Sequence, residues 1–257
     1  MHAIILAAGR GTRMGRITDD HPKCLTPFAG RTLLEWQLDA LNAADIRDIA
    51  VVRGYRSETI NPLDCILFDN PHWAETNMVT SLTYATQWLE RYDCIVSYSD
   101  IVYHPKILRC LSSHPGDLVI SYDKEWLSLW SERFENPLDD AETFRIQSSG
   151  RLEAIGARAK SVYNIQGQYM GLLKMTPFGW HQVKGILDHV PKNQCDRLDM
   201  TSMLKLVIKS GMHIHTSPTN GRWCEIDSEK DLRIYEKNLR NPNWLHDWRW
   251  DKRYLFD

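Results

Sequence analysis

The chain has 257 residues, 43% of them hydrophobic and 25% charged, with a formal net charge of −2. That length can bury a sizeable core within one α/β domain, and the near-neutral balance argues against a general nucleic-acid binder. No apolar run approaches the roughly 20 residues of a membrane span, and the first residues enter a strand without a charged leader and cleavage site. The six cysteines form no Cys-x-x-Cys pair, so reduced, packed thiols in a cytoplasmic protein are the expectation.

His2 to Leu6 reads as a strand that runs into Ala7-Ala8-Gly9-Arg10-Gly11-Thr12-Arg13, with Pro22-Lys23-Cys24 a little later. Ala7 and Ala8 leave room for a flat base close to the backbone, with Leu6 beside them as a further nucleotide-binding candidate. Gly9 and Gly11 permit a tight turn whose amides face phosphate oxygens. Arg10, Arg13, Arg16 and Lys23 form a local basic cluster suited to a small anion. A Walker loop would place a lysine and a hydroxyl directly after the second glycine, and a dinucleotide fingerprint would add a third glycine opening a helix; neither is present. The run predicts a site for a nucleoside triphosphate, with Arg13 and Lys23 supplying the fixed charge. A glycine turn with solvated arginines is the plainer alternative.

Further along, Thr32 to Ala43 reads as helix, Ile49 to Val52 and Cys65 to Phe68 as strands, and Val79 to Glu90 as one helix with Leu82, Ala85 and Leu89 on one side. Cys94 to Tyr98 is a buried strand followed by Ser99-Asp100. Sheets of this class present ligands at the carboxyl ends of their strands, which makes Asp100 the first candidate for a magnesium ligand. Its alternative role is a strand-end turn.

Val119 to Tyr122 is a further strand. Phe144 to Gln147, Leu152 to Ile155 and Gln168 to Met175 read as antiparallel additions, two of them joined at Ser149-Gly150. Tyr122, Trp126, Trp130 and Tyr169 would suit a cage for a quaternary amine, although Trp126 and Trp130 at i, i+4 are also what an amphipathic helix buries. Lys124, Arg133 and Arg158 are the polar candidates for an acceptor carrying a carboxylate or amide.

Helices at Thr176 to Leu187 and Met200 to Ser210 precede strands at His213 to Thr216 and Trp223 to Ile226. Strand alternation puts Glu225 and Asp227 on one face. Asp227 is the second candidate metal ligand, with a helix N-cap as its alternative role. Residues 1–240 read as one domain, in which about 120–200 cover the acceptor. Asn241 to Asp257 holds Trp244, Trp248, Trp250, Tyr254 and Phe256. Such a tail should dock, either on its own domain or in a homodimer or partner contact.

Residues 3 to 25 resemble the start of the NTP-transferase family of nucleotidyltransferases, which join a nucleoside monophosphate to a small phosphorylated molecule. The element Asn77…Ser81-Leu82 departs from the Gly/Gln-rich element of thymidylyl and uridylyl enzymes. It is similar instead to the cytidylyltransferase branch acting on phosphocholine, phosphonates and phosphoglutamine. Ser99 to Tyr103, Leu129 to Phe134, Asn136 to Thr143, Gln166 to Leu172 and Trp223 to Asp227 look like the same branch, so the resemblance covers almost the full length.

The resemblance implies a Rossmann-like, three-layer α/β fold of the nucleotide-diphospho-sugar transferase type, with a mostly parallel mixed sheet and a small antiparallel subregion. It implies CTP and a small phosphorylated or phosphonate acceptor as partners, and one Mg²⁺ shared by Asp100 and Asp227 with Glu225 in support. Asn77, Thr80, Ser81 and Ser99 would join the N-terminal loop at the nucleotide, unless Asn77 and Thr80 only cap the helix. Trp126, Trp130, Arg133, Tyr169 and Glu225 would face the acceptor. A sugar-1-phosphate nucleotidyltransferase using UTP or dTTP, and a catalytically silent nucleotide-binding subunit, are the alternatives.

Overall fold

Strands rich in Ile, Val and Leu on both faces demand cover on both faces, and the chain supplies it by alternating strand with helix. A computed structural model describes residues 1–62 and 64–251. Its first part holds β1 (His2–Ala7), β2 (Pro27–Phe28), β3 (Arg31–Thr32), α1 (Leu33–Ala43), β4 (Asp48–Arg53), β5 (Cys65–Asp69), α2 (Met78–Thr83) and α3 (Thr86–Leu89). There follow β6 (Cys94–Tyr98), β7 (Ile101–Tyr103), α4 (Pro105–Ser113), β8 (Leu118–Asp123) and α5 (Trp126–Arg133). Then come β9 (Glu142–Ile146), β10 (Leu152–Arg158), β11 (Gln168–Met175), α6 (Pro177–Leu187), α7 (Lys192–Cys195), α8 (Met200–Lys209), β12 (His215–Thr219), β13 (Trp223–Glu225) and α9 (Glu229–Asn238).

Seven strands form the central sheet in the order β12-β8-β11-β6-β1-β4-β5, with β11 running antiparallel to both of its neighbours and the rest parallel. In β1, β6 and β8 successive residues, which point to opposite faces, are buried almost without exception. The sheet is therefore the middle of three layers. α1 packs on α4, and α8 packs on α2 and α6. Helix starts are chemically specified: Thr32 and Glu35 form a capping box for α1, and Ser228 and Asp231 form one for α9.

Three elements differ from the reading of the sequence. Gln168–Met175 is antiparallel as expected, but it belongs to the main sheet, between β8 and β6, as its nearly continuous burial requires. The helix expected over Val79 to Glu90 is broken into α2 and α3, where Thr83 and Thr86 turn their hydroxyls onto the carbonyls of Thr80 and Thr83. The expected strand His213 to Thr216 is shifted to His215–Thr219. The small antiparallel part is the β9–β10 hairpin.

The aromatic tail packs on its own chain. Trp248 is fully buried, stacked on Phe28 with ring centroids 4.7 Å apart and edge-on to Trp36 at 5.6 Å. Trp244 lies over Tyr235 and donates its indole N–H to Glu132 at 3.1 Å. Tyr254 and Phe256 lie outside the described residues.

Candidate active site

β1 ends at the carboxyl edge of the sheet, and the loop after it turns through Gly11 in the left-handed region (φ 76°). A Cβ on Gly11 would stand 2.7 Å from Cβ of Lys23, so only glycine lets the lysine pass beneath the loop. Gly9 has no such requirement: its φ is not positive and a Cβ there would meet open space. The loop forms one wall of a cleft of about 360 Å³. Leu6, Ala8, Gly9, Arg10, Gly11, Thr12, Arg13, Lys23, Asn77, Ser81, Ser99 and Asp100 all line it.

Two residues expected there do not line the cleft. Ala7 is in the core, 1% exposed, because its side chain points to the opposite face of β1 from Leu6 and Ala8. Thr80 lies one position before Ser81 on the helix, and its carbonyl accepts from Thr83. Asn77 combines both roles weighed for it. Its side chain caps α2 by accepting from the Met78 N–H at 2.8 Å, and the residue still borders the cleft.

At the inner end of the cleft, β7 and β13 pair antiparallel with Ile101 opposite Glu225, and the Ile226 N–H donates to the Asp100 carbonyl at 2.8 Å. That pairing brings the carboxylates of Asp100, Glu225 and Asp227 together, one oxygen of each lying within 4.8 Å of the others. Asp227 is not the cap of α9. Ser228 takes that role, which leaves the Asp227 carboxylate to face the site.

The Lys23 ammonium donates to Asp100 at 2.8 Å and to Asp227 at 2.6 Å, and Arg13 pairs with Asp227 at 2.9 Å. A cluster of hard oxygen donors already gathered around one cation fits a divalent metal, and Asp100 Oδ1 is buried with no hydrogen-bond partner among the described residues.

A family model described as the MobA-like NTP transferase domain matches residues 3–166, more than half of the sequence. The chain belongs to that family. Among its relatives, this MobA-like NTP transferase is 34% identical over 250 residues to a CTP:phosphoglutamine cytidylyltransferase of Campylobacter jejuni, covering 91% of this chain and 98% of the relative. It is 35% identical over 136 residues to a choline-phosphate cytidylyltransferase of Haemophilus influenzae, covering 50% of this chain and 58% of that protein. Among solved structures, the inositol-1-phosphate CTP transferase from T. maritima superposes with a TM-score of 0.73 at 21% identity, over 93% of this chain and 96% of that one. The CTP:phosphocholine cytidylyltransferase of Streptococcus pneumoniae gives 0.71, also at 21% identity, over 93% and 98%. These two likenesses identify the Rossmann-like fold, while the family match and the near full-length relative make the chain a nucleotidyltransferase.

Electrostatics in this NTP transferase follow from how deeply the cluster is set. Burial alone would lower the Lys23 pKa, but Asp100 and Asp227 outweigh it and leave the ammonium more firmly protonated than usual. Burial also opposes ionisation of Asp227, yet Lys23, Arg13 and Arg133 hold it below the usual carboxylate range. Glu225 goes the other way: burial and then the Asp227 charge push it up to about 7, against the pull of Arg133.

Five residues lining the cleft escaped the reading of the sequence: Trp73, Ala74, Thr76, Met78 and Tyr98. Trp73 sits in the loop before α2, its ring edge-on to Tyr55 at 5.2 Å. A lone aromatic in a polar loop facing a base-sized space is the signal that could have found it. Tyr98 meets Tyr169 edge-on at 5.9 Å, which places the half-buried Tyr169 behind the cleft wall.

Trp126 and Trp130 are not presented to an acceptor. They are 3% and 4% exposed and packed on each other, with Trp130 also against Trp223, and the Trp130 indole N–H donates to Asp140 at 3.0 Å. Helical spacing turned both rings inward, and protein occupies the faces that a quaternary amine would need. Arg133 is equally committed, 2% exposed, and bonded to Glu225, Asp227 and Asp231.

Proposed function

We propose that this enzyme transfers CMP from CTP to a small phosphorylated or phosphonate acceptor and releases pyrophosphate. The observation that carries the reading is the meeting of Arg13 and Lys23 with Asp100 and Asp227 at the inner end of a glycine-walled cleft. The near full-length likeness to a phosphoglutamine cytidylyltransferase supports cytosine as the base and a non-sugar acceptor.

Asp100 and Asp227, with Glu225 beside them, would hold Mg²⁺, which when bound neutralises charge on the reacting phosphates. The chain's own residues do the rest. The Gly11 loop and Lys23 orient the triphosphate, while Arg13 and Lys23 offset the charge that develops on the transferred group and the departing pyrophosphate. An anionic acceptor oxygen forms the new bond to the α-phosphorus as the bond to the bridging oxygen of the β-phosphate breaks. Because that oxygen is already ionised at neutral pH, no side chain has to remove a proton.

Asn77 and Ser81 border the space for the base, and the Ser81 hydroxyl is fixed by the Asn70 amide at 3.0 Å. Among the described residues no helix is long and apolar enough to cross a membrane. We place the enzyme in the cytoplasm and its product among cell-surface polysaccharide precursors, as for the branch it resembles.

The test is pyrophosphate release from purified protein with Mg²⁺, pairing each ribonucleoside triphosphate and dTTP with phosphoglutamine, phosphocholine, 2-aminoethylphosphonate and glucose 1-phosphate. Release with CTP and one non-sugar acceptor is expected. Release confined to UTP or dTTP with glucose 1-phosphate would replace the reading with a sugar-1-phosphate nucleotidyltransferase.

A further inference from the structure

Arg133 closes α5, and its guanidinium is buried against three carboxylates through three different nitrogens. Nη1 meets Glu225 at 2.9 Å, Nη2 meets Asp227 at 3.4 Å and Nε meets Asp231 at 3.1 Å. Of the other cations of the cluster, Lys23 holds Asp100 and Asp227 Oδ1, and Arg13 shares Asp227 Oδ2 with Arg133. Among the described residues Arg133 is the ion-pair partner of Glu225.

Asp231 ties this arrangement to the backbone. Its second oxygen accepts from the Asp227 N–H at 3.0 Å, the Ser228 N–H at 2.9 Å and the Ser228 hydroxyl at 3.0 Å. One carboxylate therefore fixes both the guanidinium and the turn that carries Asp227.

Three carboxylates whose oxygens lie within 4.8 Å repel when ionised, and without a fixed counter-charge their side chains would rotate apart. A guanidinium suits the task because its planar fork bonds several carboxylates in set directions, whereas an ammonium acts as a single point.

We propose that Arg133 is a positioning residue for the reaction: it aims Glu225 and Asp227 toward Asp100, and Asp231 locks it in place. The proposal rests on the reading above that Asp100 and Asp227 hold a metal. It moves Arg133 from acceptor contact to organiser of the metal ligands. Arg133 lies outside the nucleotide cleft, so its influence on the nucleotide is indirect.

The test is Mn²⁺ titration of the nucleotide-free protein, read as free Mn²⁺ by electron paramagnetic resonance, for wild type, Arg133→Lys, Asp231→Asn and Asp100→Asn. CTP binding in EDTA and the metal dependence of turnover accompany it. Arg133→Lys keeps the charge and loses the fork, so Mn²⁺ should bind about 10-fold more weakly or worse, with an unchanged CTP affinity in EDTA. The KM for metal should rise more than kcat falls.

Asp231→Asn should show a smaller loss of the same kind, and it carries the test if Arg133→Lys does not fold. Unchanged Mn²⁺ affinity in the folded variants, with only a lower melting temperature, would make Arg133 purely structural and overturn the proposal while leaving the metal reading intact. A wild-type protein that binds no Mn²⁺, or binds it no better than Asp100→Asn, would overturn the metal reading and the proposal with it.

Discussion

Lys23 is 7% exposed, yet it carries a full charge at the inner end of an open cleft, because Asp100 and Asp227 accept from it on two sides. Its path depends on Gly11, whose left-handed backbone and missing side chain leave the space that the lysine stem occupies. Gly11→Ala therefore combines backbone strain with a collision. It should destabilise the protein by more than about 1 kcal/mol and lower kcat/KM for the nucleotide, seen by thermal melting and steady-state kinetics. Gly9→Ala, free of both penalties, is the matched control for the loss of stability. Lys23→Ala should reduce turnover by about 10²–10³-fold, the scale of losing one preorganised charge partner of the reacting phosphates. The basic residues of the loop were legible in the sequence because phosphate binding imposes glycine and cation in a short stretch. That Ala7 faces the core was settled by which face of β1 the cleft occupies.

At the scale of elements, α4 shows how one cap couples stability to pH. His104 is its N-cap, with Nδ1 accepting from the Lys106 N–H at 3.0 Å. Burial, then the charges of Arg222, Arg109 and Lys106, push its pKa from 6.5 down to about 4. The unfolded chain thus takes up a proton before the folded one does as the pH falls. The stabilisation is complete above about pH 6.5 and is lost progressively toward about pH 4. Protonation also removes the lone pair that makes the cap. Replacement His104→Asn preserves an acceptor without a titrating group. The urea midpoint of that variant should fall less between pH 7 and pH 5 than that of wild type, and an equal fall would assign the acid sensitivity to other histidines. Strands β1, β4, β5, β6 and β8 could be read from runs of Ile, Val and Leu. The place of β11 could not, because a buried run shows that both faces are covered and not which strands lie beside it.

For the whole molecule, the C-terminal tail acts as a strap over the part of the chain that carries the acidic residues. The Arg222 N–H donates to the Leu245 carbonyl at 2.9 Å and the Cys224 thiol contacts the His246 carbonyl, so the tail braces β13 directly beside Glu225. Trp248 anchors the strap between Phe28 and Trp36. Trp248→Ala should cost about 3–5 kcal/mol, the range for removing a buried aromatic, and appear as a lower melting temperature. Metal dependence should shift with it if the strap also holds β13 in register. A wild-type melting temperature in that variant would show that the tail is dispensable.

The kind of chemistry is written in the order of residues along the chain. Phosphate binding needs glycine, arginine and lysine close together along the chain, and strand ends with aspartate mark where a sheet meets its ligand. The residues also show that the tail is too aromatic to remain in water, since such surface is buried wherever folding allows. The long-range partners are set by the packed fold alone. Lys23 and Asp227 are 204 residues apart, and Arg133 and Glu225 are 92 apart. No local pattern records that β13 pairs with β7, and the i, i+4 spacing of Trp126 and Trp130 allowed a buried face of α5 without deciding it against an acceptor cage. Those outcomes depend on which buried surfaces fit one another, a property of the packed sheet and helices together.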